Sequence, residues 1–306
     1  MVFLNALPGA VAEGLIWGLV AIGVYISFKI LDIADLTVDG SICTGACVCA
    51  VLIGLGVPIW ISMLLAFFAG MLTGVITGLF HTALGIPAIL AGILTQLLLY
   101  SVNLTIQNSR AVIQIMQAGQ LIISSSDNIR TIITMVMIIA GTIVGLWLFF
   151  YTEIGLTLKS TGDNPDMSRA QGVNVDVNKV VGLAISNGIV ALAGALLAQY
   201  KGISDINSGR GAIVIALAAI FIGLSVSLKI KPNFVVSLIG VTCGGIVYYI
   251  VYNIVILLGL NTDYLKMLSA IIVAVLLAVP YLKGKYFTKQ KPLPIEQAVP
   301  GGDPDA

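Results

Sequence analysis

Residues 153–202 read EIGLTLKSTGDNPDMSRAQGVNVDVNKVVGLAISNGIVALAGALLAQYKG, a polar half followed by a predominantly apolar half. The apolar run 180–200 matches the roughly 20 residues that a helix needs to cross a bilayer. The rest of the chain extends this pattern, because 58% of its 306 residues are hydrophobic and only 9% are charged. Soluble domains carry about 25% charged residues. The sequence therefore predicts an integral membrane protein.

Similar apolar runs recur along the chain and predict an all-α, polytopic bundle of about nine transmembrane helices. Runs 41–57 and 86–102 are short enough to be broken or re-entrant, so eight or ten spans are the alternatives. The nine predicted spans are 11–31, 41–57, 60–80, 86–102, 129–151, 180–200, 211–228, 234–257 and 264–282.

Basic residues predict the orientation of the bundle, since Lys and Arg are retained in cytoplasmic loops. Nine spans place the termini on opposite sides, and the bias favours an outer amino terminus and a cytoplasmic carboxyl terminus. We expect one membrane domain, 1–285, with a cytoplasmic segment, 152–179, and a disordered tail, 286–306, that is too polar to bury much surface. The long outer connection 103–128 and the inner segment are the expected functional loops. The basic residues left outside are Arg110, Arg130, Lys201, Arg210 and Lys266.

Charge and motif content exclude several classes of function. A net charge of +1 creates no basic field for a nucleic acid. The single histidine and the absence of a phosphate-binding loop or a triad-like arrangement argue against an enzyme. We therefore expect no catalytic residue, cofactor or metal site in this chain.

Glycines at four-residue spacing mark where spanning helices can approach closely. They occur in the first, third and eighth predicted spans. Packing within one chain is the expected role, and a seam against a second subunit is the alternative. The glycines are Gly14, Gly18, Gly70, Gly74, Gly78, Gly240 and Gly244.

The cytoplasmic segment carries unusually complete local signals for a loop. Gly162–Pro165 has turn chemistry, and Asp163 or Asn164 is expected to cap a short helix from about Pro165 to Gln171. Gly172 is expected to end that helix. The segment therefore predicts a short surface helix joined rigidly to the next span near Lys179.

This segment resembles the coupling segment of the permease family that imports branched-chain amino acids, ribose and related sugars. Three further elements follow in family order: DLTVDGS at 35–41, IPAILAGILTQ at 86–96 and ALAAIFIGLSVS at 216–227. The first departs from the family pattern by inserting Asp39 between Val38 and Gly40, and the last lacks a second glycine after Gly223. The family positions matched in the coupling segment are Gly162, Asn164, Ala170, Gly172, Val173 and Asn174.

The resemblance implies the type II architecture of ATP-binding-cassette importers in a bacterial inner membrane. Its implied partners are two copies of a cytoplasmic ATPase, an extracytoplasmic solute-binding protein, a second permease chain, identical or related, and the membrane lipid. In such importers the coupling helix sits in a groove of the ATPase, which hydrolyses the ATP. The implied ATPase-coupling residues are Lys159, Gly162, Asp163, Asn164, Arg169, Ala170 and Gly172, with Asp166 at the rim.

Polar residues within the spans are candidates for the translocation pathway, because they are costly in lipid. Gln96, Ser186 and Asn187 are the deepest, and interhelical hydrogen bonding is the alternative role for each. His81 is expected at an inner helix end. Asp32, Asp35 and Asp39 are expected to form turns rather than a cation site.

Two functional alternatives remain at this level. An ion-coupled secondary transporter also suits interrupted helices, although such carriers keep a titratable residue at the midplane, and we expect none at a span centre. A sugar or nucleoside permease is the second alternative. The prediction is an importer of a small polar solute, with an amino acid, and an aromatic one first, as the preferred choice.

Overall fold

The computed structural model describes residues 2–115, 121–227 and 233–257, together with residues 267, 270, 271, 274, 275 and 278. The described parts of the chain form ten α-helices, one π-helical turn and a two-stranded sheet. The helices are α1 Val2–Tyr25, extended by the π-helical turn Ile26–Ile30, α2 Val38–Gly54, α3 Ile59–Thr82, α4 Ala88–Ile106, α5 Asn128–Phe150, α6 Glu153–Asp163, α7 Pro165–Ala170, α8 Val175–Lys201, α9 Ala212–Ser227 and α10 Phe234–Leu257.

Eight of the predicted spans coincide with helices, which confirms the all-α membrane bundle. Six helices are long and apolar enough to cross a membrane: α1 with its π-helical turn, α3, α4, α5, α8 and α10. The predicted ninth span, 264–282, lies outside the described ranges apart from six isolated helical residues. The count of nine is therefore not confirmed, and the predicted tail, 286–306, also lies outside the described residues.

Among the helices at predicted spans, α2 is short, with 17 residues, and the described part of α9 has 16. At 1.5 Å per residue α2 is about 26 Å long, less than the roughly 30 Å of a hydrocarbon core. The sequence predicted a short second span. The second and fourth runs were both described as short enough to be broken, but α2 and α4 each run without a break, α4 for 19 residues.

Helix α8 lies at the centre of the bundle, and its contact with α3 is the most extensive between any two helices that the structure describes. Gly70, Gly74 and Gly78 make this approach possible, because a Cβ at any of them would overlap α8. Gly14 and Gly18 pack in the same way against α10, and Gly244 packs against α9. The expectation that these glycines pack within one chain is confirmed.

The connection that follows α4 and the one that follows α8, both predicted to lie outside, pair with each other. Strand β1, Val112–Gln114, pairs antiparallel with β2, Ile203–Asp205, so that Ile113 lies opposite Ser204. A 3.4 Å ion pair between Glu13 and Lys201 lies at the end of α8 that leads into β2. This small sheet was not predicted, because three-residue strands carry too little periodicity to be recognised.

Candidate coupling segment and transport cleft

Local hydrogen bonds divide the predicted cytoplasmic segment, 152–179, into two helices. The Thr152 side chain accepts from Gly155 N and caps α6, and Asn164 Oδ1 accepts from Met167 N at 3.0 Å and caps α7. Gly172 ends α7 at φ +82°, a conformation that favours glycine. The predicted surface helix and the Asn164 cap are therefore confirmed, with α7 ending one residue early. The predicted turn at Gly162 is wrong, because this residue lies inside α6.

Helix α6 packs directly onto the end of the first span. A Cβ on Gly162 would overlap the Ile30 carbonyl oxygen in the π-helical turn, so only glycine permits this contact. Beneath it, Leu158 is fully buried. Asn178 Nδ2 of α8 donates to Thr161 Oγ1 at 3.0 Å. The segment is thus fixed to both the end of the first span and α8 through close contacts.

The outer face of the segment is exposed and partly apolar. Ile154, Met167 and Val177 expose more than half of their surface. Arg169 lies among them and approaches Asp166 and Asp176 at 3.8 Å each, which links α7 to the start of α8. The remaining implied coupling residues Lys159, Asp163, Asn164, Ala170 and Gly172 are also exposed, whereas Gly162 is half-buried. Large exposed apolar side chains on a charged surface are typical of a protein interface.

Ser186 and Asn187 are buried where helices meet. Asn187, halfway along α8, donates to Asp35 Oδ2 at 2.6 Å and accepts from Ser41 Oγ at 2.7 Å. Ser186 Oγ donates to the Gly23 carbonyl at 2.8 Å. Both side chains have 0% exposure. In this conformation the two residues make the interhelical hydrogen bonds that were the alternative to pathway lining.

A buried polar chain extends from Asn187 across three helices. Ser41 Oγ lies 2.7 Å from Thr73 Oγ1, and Thr37 Oγ1 lies 2.7 Å from Thr77 Oγ1. The sequence did not predict this chain, since single hydroxyls within apolar runs give no signal of which helix they face.

The three aspartates near the second span do not converge on one site. Asp32 adopts a left-handed turn at φ +54°, and Asp35 Oδ1 accepts from Thr37 N at 2.9 Å. Asp39 instead caps another helix, because its carboxylate accepts from Gly211 N at 2.9 Å and Ile213 N at 3.0 Å at the start of α9. The turn role predicted for Asp32 and Asp35 is confirmed, and that for Asp39 is wrong.

Gln96 borders an open cleft of about 390 Å³ between α2, α4 and the turn that leads into α9. It is half-buried, in the middle of α4. Of the three predicted pathway residues, Gln96 is the one on this cleft. Its other polar lining residues are Asp39, Tyr100, Asn103 and Arg210.

The sequence model of the permease component of branched-chain amino acid transport systems matches residues 9–279. The chain belongs to this family. It is therefore a multi-pass membrane permease of an ATP-binding-cassette importer, and the ion-coupled secondary transporter is set aside.

Curated relatives of the permease cover most of its length. A tyrosine transport system permease protein of Clostridioides difficile is 34% identical over 275 residues, covering 90% of this chain and 91% of the relative. An uncharacterised protein of Rickettsia prowazekii is 32% identical and covers 90% of the chain and 98% of that protein. An autoinducer 2 import system permease protein of Salmonella paratyphi B is 29% identical over 61% of this chain and 55% of its own length. No solved structure matches.

Proposed function

We propose that the permease moves a small polar solute, namely an amino acid with an aromatic one as first choice, into a bacterial cell with ATP hydrolysed by a partner. The observation that carries the proposal is the exposed, partly apolar face of α7 on a segment attached to two spans. One copy of a cytoplasmic ATPase binds there, and a second copy binds the same segment of a second permease chain. A second permease chain, identical or related, completes the passage, with lipid around the pair.

Coupling follows the contacts of the segment. Met167 and Arg169 meet the ATPase groove, with Lys159, Asp163, Asn164 and Ala170 around them. When the ATPases close, α7 moves, and the tight contact of Gly162 with the Ile30 carbonyl passes the displacement to the first span. The Asn178–Thr161 hydrogen bond passes it to α8. The cap on Asn164 and the turn at Gly172 keep α7 in a fixed orientation during this movement.

On the opposite face, the sheet of β1 and β2 offers a platform for an extracytoplasmic binding protein. It joins connections 103–128 and 201–210 into one surface, and main-chain pairing holds the two together. We assign Gln96 to the wall of the passage. Ser186 and Asn187 support that wall from behind by fixing α8 to the α1 backbone and to α2.

Similarity supports an amino acid as the solute. The tyrosine permease aligns over 90% of this chain, whereas the autoinducer 2 permease aligns over 61% at lower identity. A sugar-type solute remains the second candidate on account of that weaker similarity.

The first test is purification of the permease from its native membrane in mild detergent, with mass spectrometry of the bound proteins. An ATPase with a phosphate-binding loop and an extracytoplasmic binding protein are the expected companions. The ligand of that binding protein then identifies the solute. Recovery of the chain alone would contradict the proposal.

The second test is charge reversal on α7. Arg169→Glu should lower ATPase recovery about tenfold, because it introduces repulsion with Asp166 and Asp176 and removes a cation from the docking face. Arg130→Glu, an exposed position on the opposite face, is the matched control and should retain the ATPase. Equal recovery with both variants would exclude α7 as the docking helix.

A further inference from the structure

The cleft beside Gln96 concentrates polar groups in an otherwise apolar bundle. Gln96 lies in the middle of α4, and Asn103 lies two turns further along the same helix. Asp39 is the second residue of α2, and Arg210 precedes α9. Each of these residues lines the cleft of about 390 Å³, a volume typical of sites for small ligands.

Asp39 carries a carboxylate into this cleft and is held by backbone donors. In the described ranges no basic side chain forms an ion pair with it. Its two oxygens each accept one N–H at the α9 amino terminus, where the helix dipole also favours negative charge. A carboxylate has about four acceptor positions, so it retains capacity for a further donor.

Asn103 supplies a second acceptor, and this one has no partner among the described residues. The residue is 1% exposed, and its Oδ1 accepts no hydrogen bond from the residues that the structure describes. An unsatisfied buried acceptor costs about 1–3 kcal/mol, so such groups in native proteins commonly mark a bound ligand or water. Asn103 also lines the cleft, so a rotation of its side-chain amide presents this enclosed oxygen to a donor in the cleft.

Arg210 and Tyr100 add a cation and an aromatic surface to the same cleft. Arg210 is exposed and, in the part of the chain that the structure describes, forms no ion pair. Tyr100 exposes 44% of its surface. The cleft therefore offers acceptors for an ammonium group, a guanidinium for a carboxylate and an apolar wall for a side chain.

We infer that this cleft is a transient binding station for the amino acid during its passage, an inference that rests on the proposed function. Asp39 and the Asn103 amide oxygen receive the α-ammonium group, Arg210 receives the α-carboxylate, and Tyr100 packs against the side chain. An uncharged sugar carries no ammonium group for Asp39 and no carboxylate for Arg210, so the station also discriminates against sugars.

The test uses a cysteine at Gln96 as a reporter in the full importer complex, with Cys243→Ser to remove the exposed native cysteine. The rate of modification of Gln96→Cys by a membrane-impermeant thiol reagent is measured against the same complex without this cysteine. A mixture of L-amino acids should slow modification, whereas their N-acetyl derivatives and D-ribose should not. No protection, equal protection by D-ribose, or a reporter that never reacts would each overturn the inference.

Variants of the cleft then identify the groups responsible. Asp39→Asn, Asn103→Ala and Arg210→Gln should each raise the amino acid concentration needed for protection about tenfold, the usual effect of losing a charge-assisted or buried hydrogen bond. Asn103→Ala removes an acceptor without a protein partner, so it stays informative if loss of the α9 cap prevents Asp39→Asn from folding. Arg130→Gln is the matched control and should leave protection unchanged.

Uptake into proteoliposomes distinguishes failure of the binding-station inference from failure of the proposed function. If ATP-dependent amino acid uptake is present but the cleft variants retain normal protection, the station is wrong and the proposed function stands. If the wild-type complex takes up D-ribose and no amino acid, the proposed function is wrong as well.

Discussion

Asp39 is the residue at which this chain departs from a family element that it otherwise matches. Its carboxylate caps α9, whose first N–H groups have no partner within their own helix. The partner lies 172 residues away along the chain. The departure was visible in the sequence, but the bond was not, since no local pattern connects Asp39 with Gly211.

Asn187 offers a prediction at the residue scale. Asn187→Ala should lower the free energy of unfolding in detergent by about 1–3 kcal/mol, because it leaves the buried Asp35 carboxylate and Ser41 hydroxyl without their amide partner. Thermal unfolding of the purified permease measures the change.

The matched control is Asn253→Ala on α10, where the side-chain amide donates to the Tyr249 carbonyl one turn earlier in its own helix. This substitution should cost less, since it breaks no bond between helices. An equal loss in the two variants would show that the chain through Asn187 does not stabilise the bundle.

At the scale of secondary-structure elements, the coupling segment shows which signals are readable in a sequence. Caps and helix ends depend on neighbours within a few residues, so Asn164 and Gly172 predicted α7 correctly. Gly162 was predicted to lie in a turn because glycine occurs both in turns and where two helices pack closely, and the sequence does not distinguish the two. Only the position of the Ile30 carbonyl distinguishes the two.

The Gly162 contact leads to a prediction about coupling. Gly162→Ala forces α6 away from the π-helical turn, an overpacking that costs about 1–3 kcal/mol. The face of α7 remains intact, so we expect the ATPase to stay bound while stimulated hydrolysis and uptake fall. Hydrolysis with and without the loaded binding protein measures this effect.

Gly54→Ala at the end of α2 is the control, because a Cβ there meets open space. It should leave hydrolysis and thermal stability close to the wild type. If Gly162→Ala behaves in the same way, displacement does not pass through this contact.

At the scale of the whole molecule, the length of the hydrophobic runs and the bias of the basic residues predicted most of the membrane architecture. Eight predicted spans coincide with helices. Loops that the basic-residue bias assigned to the same side also lie together in the structure. At one end of the bundle β1 pairs with β2, both predicted outside, and at the other end Lys179 lies 3.4 Å from His81, both predicted inside. Which helices are neighbours could not be predicted, because apolar runs of similar composition do not specify partners.

Cysteine labelling tests the orientation. With Cys243→Ser as background, Arg110→Cys should react with an impermeant maleimide in right-side-out vesicles, and Arg169→Cys only in inverted vesicles. Both positions are exposed, so differences in burial do not affect the comparison. The reverse pattern would invert the assignment of both faces and would remove the coupling role from 152–179.

The Asp35–Asn187 hydrogen bond also has a consequence for how the protein is made. The two residues are 152 positions apart, and ribosomes add roughly 5–20 residues per second. Asp35 therefore enters the membrane roughly 8–30 s before its amide partner is synthesised. During that interval its carboxylate needs water or the insertion machinery as a substitute partner, so the first four helices assemble loosely until α8 arrives between them.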